Sequence, residues 1–423
     1  MDQNVSMATM ATNTTLLSIA LDTVTRAGQE AFGNDTNLTL SVNGANSDGC
    51  WQLTSVTLRT PLYDQTGFPR IAVTYVNRIL HSSLSVLVAL LGVFANIINM
   101  VVFYKLGLQD RVTFCLFCLA FADMMNLFSY VLRFFDFMIQ LFAGFEHILI
   151  RRSTPLAVFD GPAGFQQASF ALYAFVAVER CLCVVTPFRA KYWLQMRATK
   201  CIIGLIFVIC AGMGGLISTR YDLQCLYYTD TGRYSHWYVA SPYYKAMPEL
   251  YDVVDGLIQG FLMPLVFLGT VSICTLITVI TLRGRARWRQ ESISGGNTRE
   301  IEMTKMMMVV SCIYIACTTP DFLHRFLQFL IAEWRFNGPY WYMVTFSRII
   351  CDFLINVNSA INIVVYYLQG SRYREMFRGL FCRCCPSALQ KNPVHKNNGI
   401  RPGGVQGCST SVTCDTISSN DQP

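Results

Sequence analysis

Seven times along the chain, apolar residues run almost unbroken for the length a bilayer requires. The runs cover roughly 80–104, 112–135, 159–184, 200–218, 255–282, 303–331 and 342–367. The first reads "LSVLVALLGVFANIINMVVF" and the fifth "GFLMPLVFLGTVSICTLITVI". Each is too long for a strand and is read as a membrane-spanning helix. A shorter apolar stretch, "FMIQLFAGFEHILI", contains Glu146 and His147 and is too short to span; it is read as an interfacial or loop segment. The pattern predicts an all-α membrane protein with three parts. Residues 1–78 form an N-terminal segment, 79–385 a seven-helix bundle with a short amphipathic eighth helix, and 386–423 a polar, disordered tail.

Composition supports this. The 423 residues are 53% apolar and only 14% charged, against about 25% for an ordinary soluble chain. With the N-terminus outside, 20 of the 33 Lys and Arg residues fall on the inner side. Arg189, Lys191, Arg197 and Lys200 share one inner loop, Arg283 to Arg289 crowd the next, and Arg372, Arg374 and Arg378 follow the last run. The positive-inside rule favours that orientation. The net charge of +7 is thereby assigned to inner loops and lipid contact, with no nucleic-acid partner. Sequons at Asn4, Asn13, Asn34 and Asn37 place glycans on the outer segment. The start "MDQNVSMATMATNTT" lacks a signal-peptide pattern, so the first helix is expected to direct insertion into the plasma membrane.

Of the 17 cysteines, only Cys50 and Cys225 lie in outer segments, and a disulfide between them is expected; two free thiols are the alternative. Cys382, Cys384 and Cys385 follow the last helix in "FRGLFCRCC" and are palmitoylation candidates.

Polar residues inside the runs carry the chemistry, because each is costly there. The first run holds Asn96, the second Asp123, the third Ser169, and the seventh Asn358, Ser359 and Asn362. A carboxylate among amides and hydroxyls can bind a hard cation; alternatively these groups satisfy one another. At the far end of the third run stand Glu179 and Arg180. At about 1.5 Å per residue, Arg180 lies roughly 30 Å from the start of that run, at the inner boundary. Glu300, twenty residues before Pro320 in the sixth run, reaches the same level. Arg180 could pair with Glu300 and release it when the sixth helix swings outward, or it could pair only with Glu179 or lipid phosphate.

Taken in order, "GVFAN" ending at Asn96, "LAFAD" ending at Asp123, "ERC" from Glu179, Pro264, "CTTP" ending at Pro320 and "NIVVY" from Asn362 to Tyr366 resemble the motifs of rhodopsin-like (class A) G-protein-coupled receptors. The likeness spans about residues 80 to 385, with "GSRYREMF" similar to that family's eighth helix. It implies an allosteric sodium site at Asp123, Ser169, Asn358, Ser359 and Asn362. It also implies an inactive-state lock at Arg180 and Glu300, a connector of Pro264, Phe170 and Tyr314, and a mobile Tyr366. Departures from the pattern are Cys181, Ser272, Thr318 for the sixth-helix tryptophan and Ile363 for the seventh-helix proline. The third helix also lacks the usual outer cysteine. The combination resembles a divergent invertebrate branch, similar to molluscan chemosensory and neuropeptide-like receptors.

The resemblance implies a heterotrimeric G protein inside and an extracellular ligand outside. No lysine lies between Lys305 and Lys391, which excludes a retinal Schiff base in the last two helices. Pro162 occupies the position of the monoamine-binding aspartate, which argues against a monoamine. Arg133, Gln166, Asp321, His324, Arg325, Arg348 and Asp352 occupy the outer halves, as contacts for a peptide or a small zwitterionic molecule, or as partners in internal ion pairs. The tail cluster "CSTSVTCDTISS" suits a receptor kinase and arrestin, or is simply solvated. A transporter or channel is the competing function, but no inverted repeat is visible. The histidines at 81, 147, 236, 324 and 395 are scattered, and no enzymatic motif appears.

Overall fold

A computed structural model describes residues 41–45, 51–54, 69–142, 162–228, 233–291, 298–334 and 339–381. Among them are seven helices long and apolar enough to cross a membrane. They are α1 (Ser85–Leu106), α2 (Arg111–Phe142), α3 (Pro162–Val185), α4 (Met196–Ser218), α5 (Met263–Glu291), α6 (Thr298–Leu330) and α7 (Trp341–Gln369), followed by α8 (Ser371–Phe381). Short segments of wider π geometry precede α1 at Asn77–Leu84 and α5 at Asp252–Leu262.

Local chemistry sets several ends. Gly107, at φ 99°, closes α1 in a conformation that side-chain-bearing residues avoid. Asp110 caps α2, accepting hydrogen bonds from the Thr113 amide at 3.2 Å and the Thr113 hydroxyl at 2.8 Å. Between α6 and α7 the backbone breaks at a short turn, Ala332–Trp334.

α3 is the axis of the bundle, touching α2, α4, α5 and α6, while α1 lies against α2 and α7. Two close approaches depend on glycine. A Cβ on Gly92 would stand 2.5 Å from Leu127 and 2.8 Å from the Ala360 methyl, so α1, α2 and α7 meet there without room for one. A Cβ on Gly214 of α4 would stand 2.9 Å from the Cα of Gly164 on α3. The packed interior includes Leu116, Leu119, Leu172, Val271, Tyr314, Ile355 and Tyr366. Leu205, Val208, Ile273, Leu276 and Ile280 turn outward, as a lipid-facing surface requires.

Two features differ from the sequence reading. First, α2 runs on through Phe142, so Phe137–Phe142 continue a helix rather than a loop; the polar Asp136 and Gln140 had broken the apolar count. By contrast, α7 is helical over its whole length, in line with its apolar run and with Ile363, which unlike proline leaves the backbone donor in place. Second, strands accompany the helical bundle. β1 (Ser41–Ala45), β2 (Trp51–Thr54), β3 (Tyr221–Tyr228) and β4 (Arg233–Ala240) form one sheet in that order. β3 and β4 are an antiparallel hairpin between α4 and α5. β2 adds to it in parallel, with Trp51 opposite Leu226. Short strands that complete a sheet only through distant partners leave no long apolar signature.

Candidate functional site

At the centre of the bundle the carboxylate of Asp123 is fully buried. Ser169 of α3 donates its hydroxyl to Oδ1 at 2.7 Å, and Ser359 of α7 donates to the same oxygen at 2.9 Å. Asn362 donates from Nδ2 to Oδ2 at 2.9 Å. One carboxylate thus joins three helices, and its lone pairs are met by donors rather than by hydrocarbon. Asn362 also donates to the Tyr173 hydroxyl at 2.7 Å. Tyr173 was not among the residues singled out in the sequence, though it follows Ser169 by four positions and so shares its helix face. Its ring stacks on Tyr314 of α6 at 4.7 Å, and Phe170 meets the same tyrosine edge-on at 5.5 Å. The polar centre therefore touches α6 through an aromatic pair. Asn358 is equally buried and neither atom of its amide is hydrogen-bonded.

A second polar chain secures the inner end of α1 and α7. Asn96 donates its amide to the Gly92 carbonyl at 2.9 Å and to the Ser359 carbonyl at 2.8 Å. Asn99 donates to Asn96 at 3.3 Å and accepts from the Tyr373 hydroxyl of α8 at 2.6 Å. Burial pushes the Tyr373 phenol above its ordinary pKa, so it stays a donor. Tyr366 packs its ring on Phe103 at 5.2 Å, and its buried hydroxyl has no partner.

At the inner boundary Arg180 pairs with Glu179 at 2.9 Å, both of them buried. Glu300 lies in the first turn of α6, but its side chain is outside those described. Pro264 is the second residue of α5, just after the π segment. Pro320 sits inside α6, where it removes a backbone donor. The hydroxyls of Thr318 and Thr319 fall back on the carbonyls of Tyr314 and Ile315 at 2.7 and 2.6 Å.

In the outer half the structure brings together four of the predicted contact residues. Asp321 accepts from Arg325 at 2.8 Å and from Arg348 at 3.2 Å, and Arg348 reaches Asp352 at 2.8 Å. Two cations and two anions alternate from α6 to α7, so the cluster neutralises itself. Asp352 pairs with its neighbour on α7, while the Arg133 side chain is outside those described. His324 shares a hydrogen bond with the Ser347 hydroxyl at 2.9 Å, and its other nitrogen is buried without a partner. Gln166 is buried and its amide nitrogen is likewise unpartnered.

Several expectations lie elsewhere. Asn4, Asn13, Asn34, Asn37, Cys50, Cys382, Cys384 and Cys385 lie outside the described residues, and Cys225 is placed on β3 by its backbone alone.

Seven spans, a buried carboxylate held by three helices and a proline-containing α6 define a seven-transmembrane receptor of the rhodopsin-like class. The profile of the serpentine type 7TM GPCR chemoreceptor Srw family matches residues 83–384, and the chain belongs to that family. Its seven spans make it a multi-pass membrane protein of that family. Its relatives include an FMRFamide receptor from Drosophila melanogaster, 22% identical over 327 residues, which are 75% of this chain and 56% of that one. A B1 bradykinin receptor from Sus scrofa is 26% identical over 133 residues, 31% of this chain and 36% of that one. Neuromedin-U receptor 1 from Rattus norvegicus is 22% identical over 246 residues, 52% of this chain and 56% of that one. The chain therefore spans about half, or less, of these curated relatives. They are insect and mammalian; the molluscan branch expected from the sequence is not among these matches.

Proposed function

We propose that the protein binds an extracellular peptide in the outer half of the bundle and activates a heterotrimeric G protein on the inner side. The observation that carries this reading is the ion chain Arg325–Asp321–Arg348–Asp352, which bridges α6 and α7 just outside Pro320. These pairs are partly buried, and a charge there is costly to leave without a partner, so a ligand group of like charge is needed to replace one member. A ligand with its own charge takes over one link, changes the spacing of α6 and α7, and biases the helix that carries the inner-boundary contacts. The names of three relatives, receptors for FMRFamide, bradykinin and neuromedin-U, favour a peptide over a small zwitterion. The test is a panel of those peptides on cells expressing the full chain, read by G-protein activation. Response of wild type and loss of response in Asp352→Asn and Arg348→Gln support the reading. Response only to small solutes removes the peptide.

The same proposal assigns Arg180 and Glu300 to an inactive-state lock, Phe170, Tyr314 and Pro264 to the relay, and Tyr366 to the inward swing on activation. It takes sodium as an allosteric ligand at Asp123. The donor set suits it: the hydroxyls of Ser169 and Ser359 can rotate to present lone pairs, and the orphaned Asn358 amide supplies a further oxygen. Bound sodium supplies one positive charge beside the carboxylate. Sodium chloride shifts peptide affinity in wild type under this proposal, and Asp123→Asn abolishes that shift; an unchanged shift in the variant removes the site. Arrestin, a receptor kinase and palmitoylation of Cys382, Cys384 or Cys385 complete the proposal as inner-face partners.

A further inference from the structure

One helical turn outward of the Asp123 centre lies a second polar layer. Asn126 follows Asp123 by three residues on α2, Gln166 precedes Ser169 by three on α3, and Asn356 precedes Ser359 by three on α7. Residues three apart share a helix face and are separated by about 4.5 Å along the axis. Because Asp123, Ser169 and Ser359 meet in direct hydrogen bonds, their outward neighbours converge on one level of the bundle interior. All three are buried, at 1%, 6% and 0% exposure. Yet both amide atoms of Asn126, both of Asn356 and the amide nitrogen of Gln166 have no hydrogen-bond partner. Orphaned buried polar atoms are costly, and this level collects them from three helices.

We propose that these three carboxamides form the floor of the ligand cavity and receive the terminal carboxamide of a peptide. The inference rests on the peptide reading and narrows it. An ammonium group would satisfy the amide oxygens and leave the N–H groups orphaned. A carboxylate would satisfy the N–H groups, leave the oxygens orphaned, and bring a second negative charge within one turn of Asp123. A primary carboxamide offers N–H and C=O together and is neutral, so it meets both kinds of orphan without opposing the carboxylate. The ion chain lies further out on α7 and the adjoining α6, with Asp352 one turn outward of Asn356 and Asp321 on α6. A charged side chain near the peptide terminus would therefore meet that chain while the amide reaches the floor.

The test compares FMRFamide with the same tetrapeptide ending in a free carboxylate, on membranes carrying the full-length receptor. Wild type responds to the amide at a concentration lower by about tenfold or more, the scale of one buried polar group left unpaired. Asn356→Leu and Asn126→Leu erase that preference by weakening the amide form. Asn356→Asp, which keeps the side-chain shape in case the leucine variants fail to fold, still accepts from the amide and penalises the acid further. Equal potency of both forms on wild type overturns the carboxamide floor and leaves the peptide reading standing. A preference that survives every substitution assigns the layer to water alone and also overturns it. Failure of all peptides, with small solutes acting instead, removes both.

Discussion

Asn362 is the residue on which the polar centre turns, because its single amide nitrogen serves both Asp123 and Tyr173. Tyr173→Phe keeps the ring on Tyr314 and deletes one acceptor. The expected cost is about 1 kcal/mol, read as a lower midpoint in a detergent thermal-unfolding assay, with higher basal G-protein activation because Asn362 is less firmly held. Unchanged stability and basal activity would assign Tyr173 to packing alone. Asp123, Asn358 and Asn362 were legible in the sequence because a polar residue inside an apolar run is conspicuous. Tyr173, Asn126 and Asn356 were not: tyrosine passes as an ordinary packing residue, and isolated amides reveal their lack of partners only once the neighbouring helices are in place.

Among the elements, α6 and α8 are joined by a contact that no motif announced. Glu302 accepts from the Ser371 amide at 3.1 Å and from its hydroxyl at 2.8 Å. A carboxylate thereby caps the N-terminus of α8, where the helix dipole favours negative charge by about 0.3–1 kcal/mol. Outward movement of the inner end of α6 must break this cap. Glu302→Ala is expected to raise basal signalling about two- to fivefold at equal surface expression, the population shift that energy implies. A flat basal level would show that the cap follows α6 without restraining it. The helices themselves were readable from the length and apolarity of their runs, but their ends were not. α2 outran its apolar count, since Asp136 and Gln140 interrupt the hydropathy without interrupting the backbone ladder. Packing between elements was equally hidden. Gly92→Leu is expected to cost about 1–3 kcal/mol through overpacking against Leu127 and Ala360, measured as loss of surface expression and thermal stability. Gly379→Ala, with nothing within 4 Å of the added Cβ, is the control that should behave as wild type.

For the whole molecule, the outer sheet joins the N-terminal segment to the hairpin between α4 and α5. The parallel partners Trp51 and Leu226 are the residues that immediately follow Cys50 and Cys225. Non-reducing peptide mapping is expected to recover one peptide linking those two cysteines. Recovery of both as free thiols would leave the sheet held by backbone hydrogen bonds alone. At the hairpin's base, Arg220 pairs with Asp255 and, at 3.0 Å, with Asp252, tying the end of α4 to the start of the fifth span.

The sequence by itself determined the membrane class, the seven spans, the receptor family's motifs and the buried carboxylate, because the bilayer tolerates few polar residues and each exception stands out locally. Tertiary structure alone decided which polar groups meet. It tied Asn362 to Tyr173, set Glu302 on α8, alternated Arg and Asp between α6 and α7, and left a layer of carboxamides without partners. It also paired strands distant in the chain, with Leu53 opposite Tyr228 in the outer sheet. Those outcomes depend on distances between helices and strands far apart in the chain, which no local pattern encodes.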